Sequence, residues 1–518
     1  MVVPSAKVVS RLPNRASAAP ILAAASISLG ALIILLQPRG SLGNLDLWFL
    51  GFLLVAIGVL PLLPQWLRGE YDLFSMRTAF LSLYLLTFSG WLFYLLLTDK
   101  YVFLGSVASV HDLLRNAMLM ACLGLAVFQI AYSLRLGDHV ALLLPVPRAQ
   151  FSVGKVRVAV GFLLLIAAIS CGSWVYSRGG LFYVITHLEQ IHSTWERVGM
   201  APFEKGISMA SLAYLIWYAY LGSRRTVFAI PFLVMVMLLG LVTSSRVSSA
   251  VAFVSAVVLY HYRKQRLFSK PWHLLMVPLL LFVLLLASAV FGRYRVYTTT
   301  SPSPVSALER SVTAPDLVEE SLVEGFLSRF FGVEAVARIM DFTPGSVPYC
   351  WGIPLLRFLA TYLIPRALWP GKPEPYILIM NRTYWTWMPS GDYGGPCSTL
   401  VGEAYWTAGT FGVVFFCMLV GFFCKFADQY LKRARVPSVL VIYSFAFVYV
   451  ILINEAFVNY VVDFMSALLP LLVVLWFIHS GPARARSTSR LAHESSGQDS
   501  WSQALASQVG VPHGPPRL

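Results

Sequence analysis

The amino-acid sequence predicts an all-α polytopic membrane protein with about twelve transmembrane helices and one large external loop. Three observations carry that prediction. Of 518 residues, 58% are hydrophobic and only 12% charged, with mean hydropathy +0.70. Soluble domains carry about 25% charged residues, and a soluble chain this apolar cannot cover its surface with polar groups. The apolar residues gather in runs of about 20, enough for a helix to cross a hydrocarbon core. The alternation of a membrane-barrel strand is missing, so each run must satisfy its backbone as helix.

The runs fall near 18–36, 45–66, 78–98, 114–134, 156–176, 206–222, 226–243, 246–262, 273–291, 401–424, 437–454 and 462–479. They divide the chain into four parts. Residues 1–291 form an N-terminal bundle of about nine spans, and 292–400 a large periplasmic loop with amphipathic or re-entrant helices. Residues 401–480 hold the C-terminal spans, and 481–518 a Ser-, Arg- and Gln-rich tail expected to be disordered. Lys7, Arg11 and Arg15 precede the first run, but Gln37-Pro38-Arg39-Gly40 makes a poor cleavage site, so an uncleaved span is expected.

The net charge of +15 is not a nucleic-acid signature, because the basic residues cluster at the ends of apolar runs. With the N-terminus inside and twelve crossings, 23 of the 39 lysines and arginines face the cytoplasm, Arg77 and Lys425 among them. Short external connections keep seven, including Arg115, Lys205 and Arg246. Both termini are therefore expected in the cytoplasm of a bacterial cell, with the spans in its inner membrane.

Within the large loop, Phe326, Leu327, Phe330, Phe331 and Val336 recur at helical spacing, with Glu334 and Arg338 as an i,i+4 pair on the opposite side. This predicts an amphipathic helix lying on the membrane surface. The stretch Trp351–Leu368, interrupted by Arg357 and Arg366, reads as re-entrant or interfacial. Cys350 and Cys397 share the loop, where an oxidising compartment permits a disulfide. Cys122, Cys171, Cys417 and Cys424 fall in spans as small packing residues.

Three segments can carry chemistry. Thr243-Ser244-Ser245-Arg246 places a guanidinium among hydroxyls at a tight external turn, which suits a phosphate or, more blandly, a lipid headgroup. Pro365-Arg366-Ala367-Leu368-Trp369-Pro370-Gly371-Lys372-Pro373 holds two cations on a stiff loop beside an indole. That loop can clamp a diphosphate while the indole stacks on a sugar, or simply anchor at headgroups. Ser398-Thr399-Leu400-Val401-Gly402-Glu403-Ala404-Tyr405 starts the tenth run with a desolvated carboxylate, suited to a general base or to a structural ion pair. Asp392, Glu374, Glu455 and Asp463 are weaker candidates for that base. Arg293 and Arg295 add positive potential beyond the ninth run. His187 and His192 are five apart with no further ligands nearby, so no metal site is expected, and no phosphate-binding glycine loop supports nucleotide use.

Together these segments resemble the Wzy-type oligosaccharide repeat unit (O-antigen/exopolysaccharide) polymerases. The resemblance rests on Ser245-Arg246, on Pro365, Arg366, Trp369, Pro370, Lys372 and Pro373, and on Gly402-Glu403-Ala404-Tyr405 with Gly409-Thr410-Phe411-Gly412. It covers roughly residues 240–425. It implies a GT-C-like glycosyltransferase needing no cofactor, with undecaprenyl-pyrophosphate-linked oligosaccharides as substrates and a chain-length regulator and a flippase as partners. Under it Glu403, Arg246 and Arg366 are catalytic, while Lys372, Trp369, Arg293, Arg295 and Tyr405 bind substrate. An O-antigen ligase-like enzyme remains open, as does a lipid-linked oligosaccharide flippase. The missing internal repeat weighs against the flippase.

Overall fold

The computed structural model describes residues 44–68, 70–98, 110–147, 150–186, 201–222, 226–242, 246–264, 290, 293–294, 297, 303–313, 330–361, 364, 369, 371–374, 376–385 and 398–480. Every regular element among them is a helix. In chain order these are α1 (Leu45–Leu67), α2 (Met76–Thr98), α3 (Val110–Ser133), α4 (Leu136–Leu143), α5 (Val153–Ser177), α6 (Leu181–Thr186), α7 (Ala201–Leu221), α8 (Thr226–Val242), α9 (Arg246–Lys264), α10 (Pro304–Thr313), α11 (Gly332–Phe342), α12 (Ile353–Thr361), α13 (Tyr376–Tyr384), α14 (Leu400–Arg433), α15 (Pro437–Leu452) and α16 (Phe457–His479).

Ten of the twelve expected runs coincide with helices. The run 18–36 lies outside the described residues, as does 273–291 apart from Val290. Among the described residues six helices (α1, α2, α3, α5, α14 and α16) are long and apolar enough to cross a membrane. Side chains such as Phe162, Ile169, Val473 and Trp476 point outward and exposed, a face that lipid tolerates and water penalises. The chain is a helical membrane protein. Helix starts follow local chemistry: Ser75 accepts the Thr78 N–H at 3.2 Å, and Thr399 accepts the Gly402 N–H at 3.0 Å.

Helices α3 and α14 pack side by side in the same direction. Gly124 faces Val413 and Cys417, Gly421 faces Phe128 and Ala131, and Gly137 beyond α3 faces Lys425. At the C-terminal end of α14 the buried Asp428 accepts from the Met76 N–H at 2.9 Å and from the Tyr132 and Tyr443 hydroxyls, each at 2.6 Å. One carboxylate thereby ties α2, α3, α14 and α15 together. Arg77, expected among the cytoplasmic surface cations, is buried instead. Its guanidinium donates twice to Gln129 Oε1, at 2.9 and 2.6 Å, while Gln129 donates to the Gly58 carbonyl at 3.2 Å. A side-chain acceptor from α3 makes that burial tolerable. Lys425 also turns inward, 3.4 Å from Asp138.

The loop helix α11 differs from expectation. It does not lie on a surface: Val333, Glu334, Ala335, Val336, Ala337 and Ile339 are all fully buried, enclosed by α2, α3 and the start of α14. Small residues allow the close approach. A Cβ on Gly332 would strike Thr87 and crowd Thr399. Glu334 tolerates burial because Trp91 Nε1 donates to it at 2.9 Å. Arg338 turns elsewhere, lying 3.9 Å from Asp341 and 4.3 Å above the Phe342 ring. The expected Glu334–Arg338 pair is thus replaced by partners distant in sequence or one turn away. Residues 314–329, which include Phe326 and Leu327, lie outside the described residues.

Candidate functional site

Glu403 sits in the first turn of α14, and α14 is not one continuous helix. Ala408 (φ −156°, ψ 33°) and Gly409 (φ 61°, ψ −143°) break it after Thr407. The positive φ explains glycine at that position. A break leaves carbonyls without intrahelical donors. The segment before α12 supplies them: the Cys350 N–H donates to the Trp406 carbonyl at 3.0 Å, and the Trp351 N–H to that of Thr407 at 2.9 Å. The expected tenth span is therefore a short half-helix, a break clamped by loop backbone, and a long second half.

The Glu403 side chain is buried and engaged at both oxygens. Ser398 donates to Oε1 through its hydroxyl, and the Val458 N–H donates to Oε2 at 2.8 Å. Val458 lies in the first turn of α16, so the carboxylate caps that helix and meets the positive end of its dipole. Nearby, the Thr399 N–H donates to the Glu455 carbonyl at 3.0 Å. The starts of α14 and α16 are thus locked together, with the start of α11 packed against Thr399.

Against the first half of α14 packs α13. Its inward residues Tyr376, Asn381 and Tyr384 are buried, as are Trp385 just beyond and Trp406 opposite. The Tyr376 and Tyr384 rings stand 5.5 and 5.8 Å from the Trp406 ring, and Tyr384 and Trp385 are 6.0 Å apart. Burial pushes the Tyr376 hydroxyl well above its ordinary pKa, and the nearby Glu403 charge pushes it the same way. Burial also raises the Tyr384 hydroxyl, although a 2.6 Å hydrogen bond with Thr343 acts against it. None of these residues was among the candidates that the sequence offered. Their spacing, 376, 381, 384 and 385, spreads over half the turn of a short helix and gives no facial signal to pick them out.

The remaining sequence candidates divide into placed and unplaced. Trp369 is about half exposed, at 40%. The Lys372 N–H donates to its carbonyl at 3.0 Å, and Lys372 Nζ donates to the Ile364 carbonyl at 3.0 Å, closing this stretch into a turn. Tyr405 is half-buried, with its ring 6.1 Å from that of Tyr349. Arg293 is helical and half-buried. Arg246 is the first residue of α9, and its side chain is not described; Arg295 and Arg366 lie outside the described residues. Among the described residues no hydrogen bond or ion pair joins Lys372 to Glu403.

Of the weaker carboxylates, Glu374 pairs with Arg382 at 2.7 Å and Asp463 with Lys205 at 2.6 Å, while Glu455 accepts from the Tyr460 hydroxyl at 3.1 Å. Asp392, His187 and His192 lie outside the described residues. Cys350 carries a free thiol, raised in pKa by burial and set beside the Thr407 hydroxyl; Cys397, with which a disulfide was considered, lies outside the described residues. Helix α12 buries Phe358 and Thr361 and leaves Ile353 and Leu356 exposed beside Trp351.

Fold and site together define a helical membrane protein in which α11, α13 and the Cys350–Trp351 backbone pack onto a broken helix. Residues 205–434 match a family described as "Domain of unknown function (DUF8712)". No curated protein and no solved structure matches the chain. The family range holds Glu403, the α14 break, α13 and the Trp369–Lys372 turn, while Val458 and Trp91 stand outside it.

Proposed function

We propose that this protein polymerises undecaprenyl-pyrophosphate-linked oligosaccharide repeat units at the periplasmic face of a bacterial inner membrane, with both termini cytoplasmic. The glycan's C1–O bond to pyrophosphate breaks, and a new glycosidic bond forms to a hydroxyl of a second lipid-linked unit. The hydroxyl's proton passes to Glu403, and the diphosphate leaves with the electron pair. Because that leaving group is already good, catalysis needs mainly cations where negative charge develops. Arg246, Arg366 and Lys372 have that role, with Arg293 and Arg295 adding potential and Trp369 and Tyr405 contacting sugar. Tethering both substrates to one membrane raises their effective concentration.

The observation that carries this reading is the setting of Glu403: a buried carboxylate in a half-helix whose broken end is clamped by the segment before α12. Its partner Ser398 suits proton uptake, since a hydroxyl that donates to a carboxylate can turn and accept from a carboxylic acid. The test is deletion of the gene followed by electrophoresis of surface polysaccharide. Single-repeat products in place of a ladder are expected; an unchanged ladder overturns the proposal. Arg246→Ala, Arg366→Ala and Lys372→Ala should each abolish chain growth at normal protein abundance. Activity in all three removes the assignment of cations.

A second reading has one observation in its favour. Broken helices are common in secondary transporters, and α14 is broken at Ala408–Gly409. A flippase deletion would trap lipid-linked units on the inner leaflet. A ligase deletion would instead leave lipid-linked polymer untransferred.

A further inference from the structure

Five buried polar atoms in the cluster between α13 and α14 have no hydrogen-bond partner among the described residues. They are the Tyr376 hydroxyl, both amide atoms of Asn381, and the indole nitrogens of Trp385 and Trp406. Their residues are 1%, 4%, 1% and 4% exposed. A buried polar group left unpaired costs about 1–3 kcal/mol, so proteins rarely retain several together without a use for them. The rings around these atoms are aromatic, and the Tyr376–Trp406 pair is tilted by 43° at 5.5 Å rather than stacked.

We infer that Tyr376, Asn381, Trp385 and Trp406 form a subsite for one neutral hexose ring. A pyranose presents apolar C–H faces, which pack on indole and phenol rings, and a rim of hydroxyls that both donate and accept. The cluster offers two indole N–H donors, an amide donor and acceptor, and a hydroxyl of either role. Its unpaired atoms are all uncharged, and Arg338 beside it is turned to the Tyr384 carbonyl at 3.4 Å, so a neutral sugar fits it better than a phosphate. The sugar enters by displacement of α13, a nine-residue helix whose exposed Arg382 pairs with Glu374 ahead of its start. Because Tyr376 adjoins Glu403, a sugar held there presents a hydroxyl to that carboxylate. The identification of this ring as the acceptor sugar rests on the polymerase reading; the binding of a hexose does not.

The full-length protein in lipid nanodiscs is titrated with glucose, galactose, mannose, rhamnose and N-acetylglucosamine, and binding is read by saturation-transfer NMR. At least one sugar should respond. Tyr376→Phe and Asn381→Leu should each weaken that response about tenfold, the effect of one to two lost hydrogen bonds. Neither substitution removes a protein partner, so the melting temperature should hold or rise. No response to any sugar in the unsubstituted protein overturns the inference, as does a response unchanged in both variants. A lowered melting temperature with unchanged sugar response also overturns it, assigning the atoms to buried water. Sugar binding in the nanodiscs together with an intact ladder in the deletion strain discards the polymerase and keeps the subsite. Loss of the ladder without sugar binding does the reverse.

Discussion

Asp428 and Trp406 stand toward opposite ends of α14, both buried, and their polar neighbours are treated in opposite ways. Around Asp428 the partners are supplied: a backbone N–H and two tyrosine hydroxyls reach one carboxylate, and Arg77 beside it is held by Gln129. Around Trp406 the donors outnumber the acceptors, and the indole, amide and phenol atoms go unpaired. A satisfied network inside a lipid-embedded bundle fixes one arrangement of helices. An unsatisfied one at similar burial is costly to keep and suits a ligand that completes it. The contrast separates a polar cluster that builds the fold from one that awaits chemistry.

Substitutions can break or sharpen that contrast. Asp428→Leu should have the largest effect, because it removes the carboxylate on which four helices converge. The Tyr132 hydroxyl loses its acceptor at about 1–3 kcal/mol, while the Met76 N–H keeps only the Tyr443 hydroxyl and that hydroxyl only the Phe74 carbonyl. Little folded protein should survive detergent extraction, as read by size-exclusion chromatography; near-normal recovery would show that the network holds nothing together.

Glu403→Leu comes next. It strips the Val458 N–H and the Ser398 hydroxyl of one shared acceptor and should cost about 2–4 kcal/mol, a lowered melting temperature being the readout. Glu403→Gln retains an acceptor for Val458 and a partner for Ser398, so abundance should be near normal. Loss of polymer in that variant assigns a proton-transfer role, whereas full activity leaves Glu403 as a helix cap alone.

Arg77→Met should cost less, about 1–3 kcal/mol, since only the Gln129 carbonyl loses its donors. The smallest effect belongs to Tyr376→Phe, with stability unchanged within about 0.5 kcal/mol or slightly raised. A clear destabilisation there would erase the distinction between the two clusters.

Much of the fold was legible without coordinates. The apolar runs placed α2, α3 and α5 within a few residues of their ends because hydrophobic burial is written locally in composition. The chemistry of the site was only half legible. Glu403 and Tyr405 could be singled out at the start of a run, but the break at Ala408–Gly409 hid inside an apolar stretch that reads as one span. Helix α11 misled for a related reason. Periodicity identifies an apolar face, but whether the other face meets water or an indole N–H depends on a residue far away.

The sequence alone determined that this chain is a membrane protein made of helices, where most of those helices run, and that residues 292–400 are rich in aromatic side chains. These properties are sums over neighbouring residues. Only tertiary structure decided that Glu334 is buried against Trp91, 243 residues away, that Asp428 joins Met76 across 352, and that Glu403 caps a helix 55 residues downstream. Whether a buried polar atom finds a partner depends on which helices meet, and no local pattern records that meeting.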